Sequence, residues 1–135
     1  MSFIKWHPVL YSINNTEFDN HHQKLVDIIN KFHKAMMEGK GVDSLEQIFF
    51  ELKNYTNFHF KAEEEKMLAI NYPFYESHKK EHDKLIARME ELSVRAKTGE
   101  KLVSIDTFKF LKDWLFTHIS RVDKQMGEYI INNKT

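Results

Sequence analysis

Two pairs of side chains in this sequence have the types and spacing of metal ligands. His59 precedes Glu63 by four residues, and His78 precedes His82 by the same interval. Four residues advance an α-helix by about 400°, so the members of each pair lie on one face and can bind a common centre. Imidazole nitrogens and carboxylate oxygens are ligands of transition-metal ions, and the spacing therefore predicts a metal site.

Three more residues of the same chemistry lie near the two ends of the chain. His22 precedes Leu25 by three residues on an apolar helical stripe, and His118 follows Leu115 by three on another. Asp123 comes five residues after His118, an interval that turns an ideal α-helix by about 500°. His118 and Asp123 can therefore share a site only if they straddle it or if a π-bulge lies between them.

Apolar residues at helical spacing predict four helices that carry these side chains. Gly39 supplies a left-handed C-cap to the first helix, Ser44 and Gln47 have capping-box spacing, and Pro73 suits the first turn of the third helix. Short connections make successive helices antiparallel, so we predict an all-α, up-down-up-down four-helix bundle in a single domain, 1–135. The predicted segments are an N-terminal arm, 1–17, and helices at about 19–38, 44–70, 73–97 and 104–129.

In such a bundle the candidate ligands come to one level. They lie early in the first and third helices and late in the second and fourth, and these positions meet at one end. A single histidine on an apolar face is more often a core residue, but buried imidazoles and carboxylates on four helices are costly unless paired or metal-bound. Seven ligands suit two metal ions bridged by carboxylates better than one tetrahedral zinc. They are His22, His59, Glu63, His78, His82, His118 and Asp123.

Two other histidines are weaker candidates for metal ligands. His21 is turned about 100° from His22 on the same helix, so we expect it to face solvent or to flank the site. His33 returns to the face of His22 but lies about 16 Å further along the axis, which is too far to share the centre.

Composition excludes several other classes of protein. The chain has 20 basic and 20 acidic side chains among 135 residues, so it lacks the positive field that binds nucleic acid or anionic membranes. It has no cysteine, which excludes thiolate zinc sites, iron–sulfur clusters and thiol catalysis. Neither a signal peptide nor a membrane span is recognisable. We expect a soluble cytoplasmic monomer, with weak self-association as the alternative.

The pattern resembles the hemerythrin family, specifically its bacterial single-domain members, over essentially the whole chain. The resemblance implies a non-haem di-iron centre that binds dioxygen reversibly, and hence an oxygen carrier, storage or delivery protein and not an enzyme. The residues that carry it are Trp6, Asp19 with His22 and Leu25, His59-Phe60-x-x-Glu63-Glu64, Tyr72-Pro73, His78-Lys79-Lys80-Glu81-His82, Trp114-Leu115-x-x-His118-Ile119, and Asp123.

The resemblance also implies a role for each residue. His78, His82 and His118 would bind one iron, and His22 and His59 would bind the other. Glu63 and Asp123 would bridge the two irons together with an oxo or hydroxo group, which leaves one position open for dioxygen on the iron with two histidines. The implied apolar oxygen pocket consists of Leu25, Phe60, Trp114, Leu115 and Ile119.

The sequence departs from the family pattern at three places, none of them a ligand. His21 replaces the usual Gln, Ser12-Ile13-Asn14-Asn15 replaces a Ser-Val-Gly segment, and Met126 replaces a frequent aromatic residue. Two alternative functions are an oxygen or redox sensor module and a ferritin-like di-iron enzyme with oxidase or peroxidase-like activity. The enzyme is disfavoured because such bundles use Glu-x-x-His motifs, which this sequence lacks.

Overall fold

The structure, a computed structural model, is an all-helical antiparallel four-helix bundle, as predicted. It describes residues 12–99 and 102–132, apart from the side chains of Val42 and Leu115. Residues 1–11 of the predicted arm, including Trp6, lie outside this range. The fourth helix of the bundle is made of α4, a π-helical segment and α5 in direct succession. The elements are α1 (Thr16–Met37), α2 (Gly41–Ala69), α3 (Tyr75–Lys97), α4 (Val103–Thr117), the π segment (His118–Asp123) and α5 (Lys124–Asn132).

The segment before α1 forms hydrogen bonds with the first turn of that helix. Asn15 caps the helix by accepting a hydrogen bond from the backbone N–H of Phe18 at 3.1 Å. Asp19 accepts the backbone N–H of Ile13 at 2.9 Å and the hydroxyl of Ser12 at 2.6 Å. α1 therefore begins at Thr16, three residues before the predicted start, because Asn15 supplies the capping oxygen.

Ile13 is buried against α5, and this contact requires glycine at position 127. A Cβ atom built on Gly127 would collide with the backbone oxygen and the Cβ of Ile13. The segment before α1 thus touches the last helix of the bundle as well as the first.

Two details of the predicted helix ends are wrong. Gly39 has a φ of +74°, so it adopts the left-handed conformation predicted for the end of the first helix. The chain reverses there, and α2 begins two residues later, at Gly41. Ser44 consequently lies inside the first turn, where its hydroxyl donates to the backbone oxygen of Gly41 at 3.0 Å instead of forming a capping box with Gln47. Pro73 lies in the turn before α3 and not within its first turn.

The buried apolar residues form two layers with the polar cluster between them. Along each helix the candidate ligands separate residues of the main core from residues of a smaller core at the end of the bundle. None of the described helices is both long and apolar enough to span a bilayer. The smaller core consists of Ile13, Phe18, Met67, Tyr72, Met126 and Ile130.

Candidate metal centre

The structure brings all seven predicted ligand residues together inside the bundle, and each is at most 2% exposed. Their potential ligand atoms form two overlapping groups, in each of which all atoms lie within 4.8 Å of one another. The two groups share both carboxylates and differ in their histidines. The first, the three-histidine half, is His78, His82 and His118 with Glu63 and Asp123; the second, the two-histidine half, is His22 and His59 with the same two acids.

Glu63 divides its two oxygens between the halves. Its Oε2 lies 3.3 Å from Nε2 of His59 and 3.6 Å from Nε2 of His22. Its Oε1 lies 3.1 Å from Nε2 of His82 and 3.6 Å from Nε2 of His78. One carboxylate thus faces two separate groups of imidazoles, which is the arrangement that a bridging ligand needs.

Asp123 repeats this arrangement from the opposite side of the bundle. Its Oδ2 lies 3.0 Å from Nε2 of His22, in the two-histidine half. Its Oδ1 lies 2.9 Å from Nε2 of His78 and 3.1 Å from Nε2 of His118, in the three-histidine half. Both carboxylates therefore span the same two positions.

The π-helical segment resolves the spacing of His118 and Asp123. The segment runs from His118 to Asp123, and both side chains are buried in the same cluster. A π turn closes its hydrogen bonds between residues five apart, so it brings these two residues to one face, where a regular α-helix would separate them. Of the two possibilities that the sequence left open, the π-bulge is the one present.

Two of the five histidines are anchored at Nδ1 by another side chain. Nδ1 of His82 lies 2.8 Å from Oε2 of Glu64, and its ring stacks on Phe60 with centroids 3.9 Å apart. Nδ1 of His59 lies 2.8 Å from Nδ1 of His21. Such outer contacts fix the orientation of a ligand ring. His21 is buried. It therefore flanks the site, as one of the two expectations stated, and the other expectation, that it faces solvent, is wrong.

Glu64 contacts a histidine of the cluster, although the sequence assigned it no role beyond its place in the family motif. It follows Glu63 within the run Glu63-Glu64-Glu65-Lys66, which has the composition of a solvated face. Its side chain is 22% exposed, and the oxygen that contacts His82 points inward while the rest remains near solvent. A signal was available, because a carboxylate next to an inward-facing ligand can reach the neighbouring helix.

The buried charges perturb the ionisation of the cluster. Burial opposes the charged form of His22 and His78, but their contacts with Asp123 and Glu63 outweigh it and raise the pKa of each to about 9. Burial also opposes ionisation of Glu63, yet the neighbouring histidines, His59 foremost, hold its pKa well below the usual range. The pKa of Asp123 is likewise lowered, by His118 and His22, against burial and the charge of Glu63.

The polar atoms of the cluster fit a metal pair better than they fit one another. Within the part of the chain that the structure describes, both oxygens of Glu63 and of Asp123 lack a hydrogen bond of acceptable geometry. The same holds for Nε2 of His78, His82 and His118. Buried polar atoms that converge without hydrogen bonds between them are costly. Cations between these atoms would satisfy them all.

Two residues of the predicted oxygen pocket, Phe60 and Trp114, contact histidines of the cluster. Leu25, Phe60 and Ile119 are fully or almost fully buried, and Trp114 is half-buried and stacks on His118 with centroids 5.2 Å apart. Phe60 also contacts Trp114 edge-on. The side chain of Leu115 is outside the described part of the structure.

Fold and site together define a four-helix bundle that binds cations through buried histidines and carboxylates. A family model of the hemerythrin HHE cation binding domain matches residues 14–130. The chain belongs to the hemerythrin family.

Relatives and solved structures agree with this family. The chain is 34% identical over 127 residues to a bacteriohemerythrin of Methylococcus capsulatus. The matched residues cover 94% of this chain and 96% of the relative. It is 38% identical over 105 residues to a bacteriohemerythrin of Pseudomonas aeruginosa, covering 78% of this chain and 67% of the relative. A crystal structure of wild-type hemerythrin is 31% identical and superposes with a TM-score of 0.80, covering 94% of this chain and 97% of the other.

Proposed function

We propose that this protein binds dioxygen reversibly at a pair of non-haem iron ions, as an oxygen carrier, storage or delivery protein and not as an enzyme. The observation that carries the proposal is the unequal sharing of ligands between the two halves of the cluster. Glu63 and Asp123 serve both halves, while three histidines belong to one and two to the other. A metal ion in the half with fewer ligands would have a coordination position free for an external molecule.

Each half has a defined set of donors in this proposal. His78, His82 and His118 would hold one iron, His22 and His59 would hold the other, and Glu63 and Asp123 would serve both. When bound, the iron pair supplies the electrons that reversible dioxygen binding requires. The donor set suits iron because imidazole and carboxylate are both ligands that iron accepts in proteins.

The side chains proposed to line the open side are mainly apolar and buried. Leu25 and Ile119 are fully buried, and the Phe60 ring contacts His59 of the two-histidine half as well as His82 and His118. A dry lining without hydroxyl groups disfavours irreversible oxidation of the metal pair, because that reaction consumes protons. The same residues also pack the main core, and this role is compatible with lining an oxygen site.

The composition of the cluster favours oxygen binding over an enzyme of the ferritin-like type. Those bundles surround their metals mainly with glutamates in Glu-x-x-His motifs. Here five histidines accompany two carboxylates, and no Glu-x-x-His motif occurs in the sequence.

A simple spectroscopic cycle tests the function. The protein is loaded with ferrous iron without air, exposed to air, and then purged with inert gas while the visible spectrum is recorded. We expect an absorption band that appears with oxygen and disappears on purging, over several cycles. A single irreversible conversion to a ferric form would contradict a carrier and favour an enzyme or a sensor.

A further inference from the structure

We propose that His21 is a positioning residue for the two-histidine half of the cluster, where it accepts a hydrogen bond from His59 and so sets the tautomer and ring orientation of that ligand. The inference rests on the proposed function, because it assumes that His59 binds metal through Nε2. His21 itself is not a ligand in this proposal.

The surroundings of His21 hold its ring in one place. Nδ1 of His21 lies 2.8 Å from Nδ1 of His59, and the two ring planes are almost perpendicular at 86°. Phe18, Tyr55 and Phe58 surround the His21 ring with centroid distances between 5.0 and 6.0 Å. His21 as a whole is only 9% exposed. An aromatic cage thus keeps one nitrogen of His21 directed at His59.

Counting protons assigns a direction to this hydrogen bond. Two nitrogens at 2.8 Å need one proton between them, so one ring donates and the other accepts. Nε2 of His59 faces Oε2 of Glu63 at 3.3 Å and Nε2 of His22 at 3.1 Å, on the side where metal would bind. Metal binding needs the lone pair of that nitrogen, so a neutral His59 carries its proton on Nδ1. His59 therefore donates, and His21 accepts and carries its own proton on Nε2.

The two halves of the cluster have different anchors. Among the described residues, Nδ1 of His22, His78 and His118 has no hydrogen-bond partner, so only His59 and His82 are anchored in this way. Glu64, a carboxylate, anchors His82 in the three-histidine half, whereas an imidazole anchors His59. Loss of the His21 acceptor should accordingly weaken the two-histidine half and leave the other intact.

Nuclear magnetic resonance of the unaltered protein tests the direction of the hydrogen bond. Zinc is the probe, because a diamagnetic ion allows the protonation of each isotope-labelled imidazole nitrogen to be read from its chemical shift. We expect Nδ1 of His21 to be unprotonated and Nδ1 of His59 to be protonated. A proton on Nδ1 of His21 would overturn the proposal, and no variant is needed for this result.

Iron stoichiometry of variants tests the consequence. His21→Leu removes the acceptor, and we expect the affinity for one of the two ferrous ions to fall about 10- to 100-fold, the usual effect of losing such a contact. His21→Gln keeps an acceptor oxygen and should retain both ions. His33→Leu, a change of the same kind on the same helix but away from the cluster, is the control. Circular dichroism establishes that each variant is folded.

The outcomes separate this inference from the function on which it rests. If the unaltered protein binds fewer than two ions, the proposed metal pair fails whatever the variants do. If it binds two and His21→Leu retains both with an unchanged rate of loss to a chelator, only the role of His21 is refuted. A loss from His21→Leu that His21→Gln does not repair would also refute the role, because space-filling and not hydrogen bonding would then explain it.

Discussion

Glu63 and Asp123, from different helices, each turn one carboxylate oxygen to the two-histidine half of the cluster and the other oxygen to the three-histidine half. Every histidine of the cluster has a carboxylate oxygen within 3.6 Å of its Nε2. Since the two acids are shared while the histidines are not, substitution of one acid should affect both metal positions.

Substitution of a shared acid should therefore remove both metal ions. In Glu63→Gln the side chain keeps its shape but loses its charge and one acceptor oxygen. We expect the iron content to fall from about two ions per chain to well below one, measured by elemental analysis after gel filtration. Glu65→Gln, an identical change at an exposed position on the same helix, is the control and should leave the iron content unchanged. Retention of one full iron by Glu63→Gln would show that the halves are independent.

Loading with metal should release protons at neutral pH. In the metal-free protein the pKa of both His22 and His78 is about 9, so both rings are protonated near neutrality, and a metal ion must displace these protons. We expect proton release at about pH 7.5 to exceed that above pH 9.5 by about two protons per chain. Calorimetry in buffers of different ionisation enthalpy measures this number. Equal release at both pH values would contradict the raised pKa values.

The same two histidines should make the metal-free protein more stable at neutral than at alkaline pH. A pKa raised in the folded state contributes stability that is fully present below the unfolded value of 6.5 and is lost as the pH rises through about 9. We expect the midpoint of urea unfolding of the metal-free protein to fall between pH 7 and pH 10. His78→Gln should reduce this dependence. A midpoint that rises over this range would contradict the assignment.

A hydroxyl group in the apolar lining should shorten the life of the oxygenated protein. Ile119→Ser places a proton donor beside the cluster, and we expect irreversible oxidation in air to accelerate at least severalfold, followed by visible absorption. The change also removes a buried side chain and should cost about 2–5 kcal/mol of stability. Leu92→Ala, in an equally buried position of the main core, is the control for that cost and should leave the oxidation rate unchanged. Similar acceleration in both variants would attribute the effect to instability alone.

The close contact between Ile13 and α5 predicts that substitution of Gly127 destabilises the protein. Gly127→Ala forces a Cβ atom against the backbone of Ile13, and we expect a loss of about 1–3 kcal/mol, as in other overpacked contacts. Urea unfolding measures the loss. Ile13→Ala in the same background provides the comparison, and a Gly127→Ala protein as stable as the parent would contradict the contact.

Much of the fold and of the cluster was predictable because helix periodicity is a strong signal. His59 with Glu63 and His78 with His82 lie four residues apart on long, regular helices, so their common face follows from geometry alone. His118 and Asp123 required the structure, since tertiary packing and not local sequence decides whether a helix takes up an extra residue in a π turn. This is why the sequence left two arrangements open.

Other details depend on contacts between distant parts of the chain. Glu64 looks like part of a solvated acidic run until α3 brings His82 beside it. His21 is ambiguous for the same reason, because its burial comes from Tyr55 and Phe58 on another helix. The predicted start of α2 near Ser44 is wrong because Gly39 already reverses the chain and the helix begins at Gly41.

The π-helical segment ties the cluster to the attachment of the segment before α1. Since α5 continues from it without a break, the rotation that directs Asp123 inward also sets the direction of Gly127, four residues further on. One distortion of the backbone therefore orients two unrelated contacts. Insertions or deletions between His118 and Asp123 would disturb both together, so in evolution these two parts of the molecule are expected to change jointly or not at all.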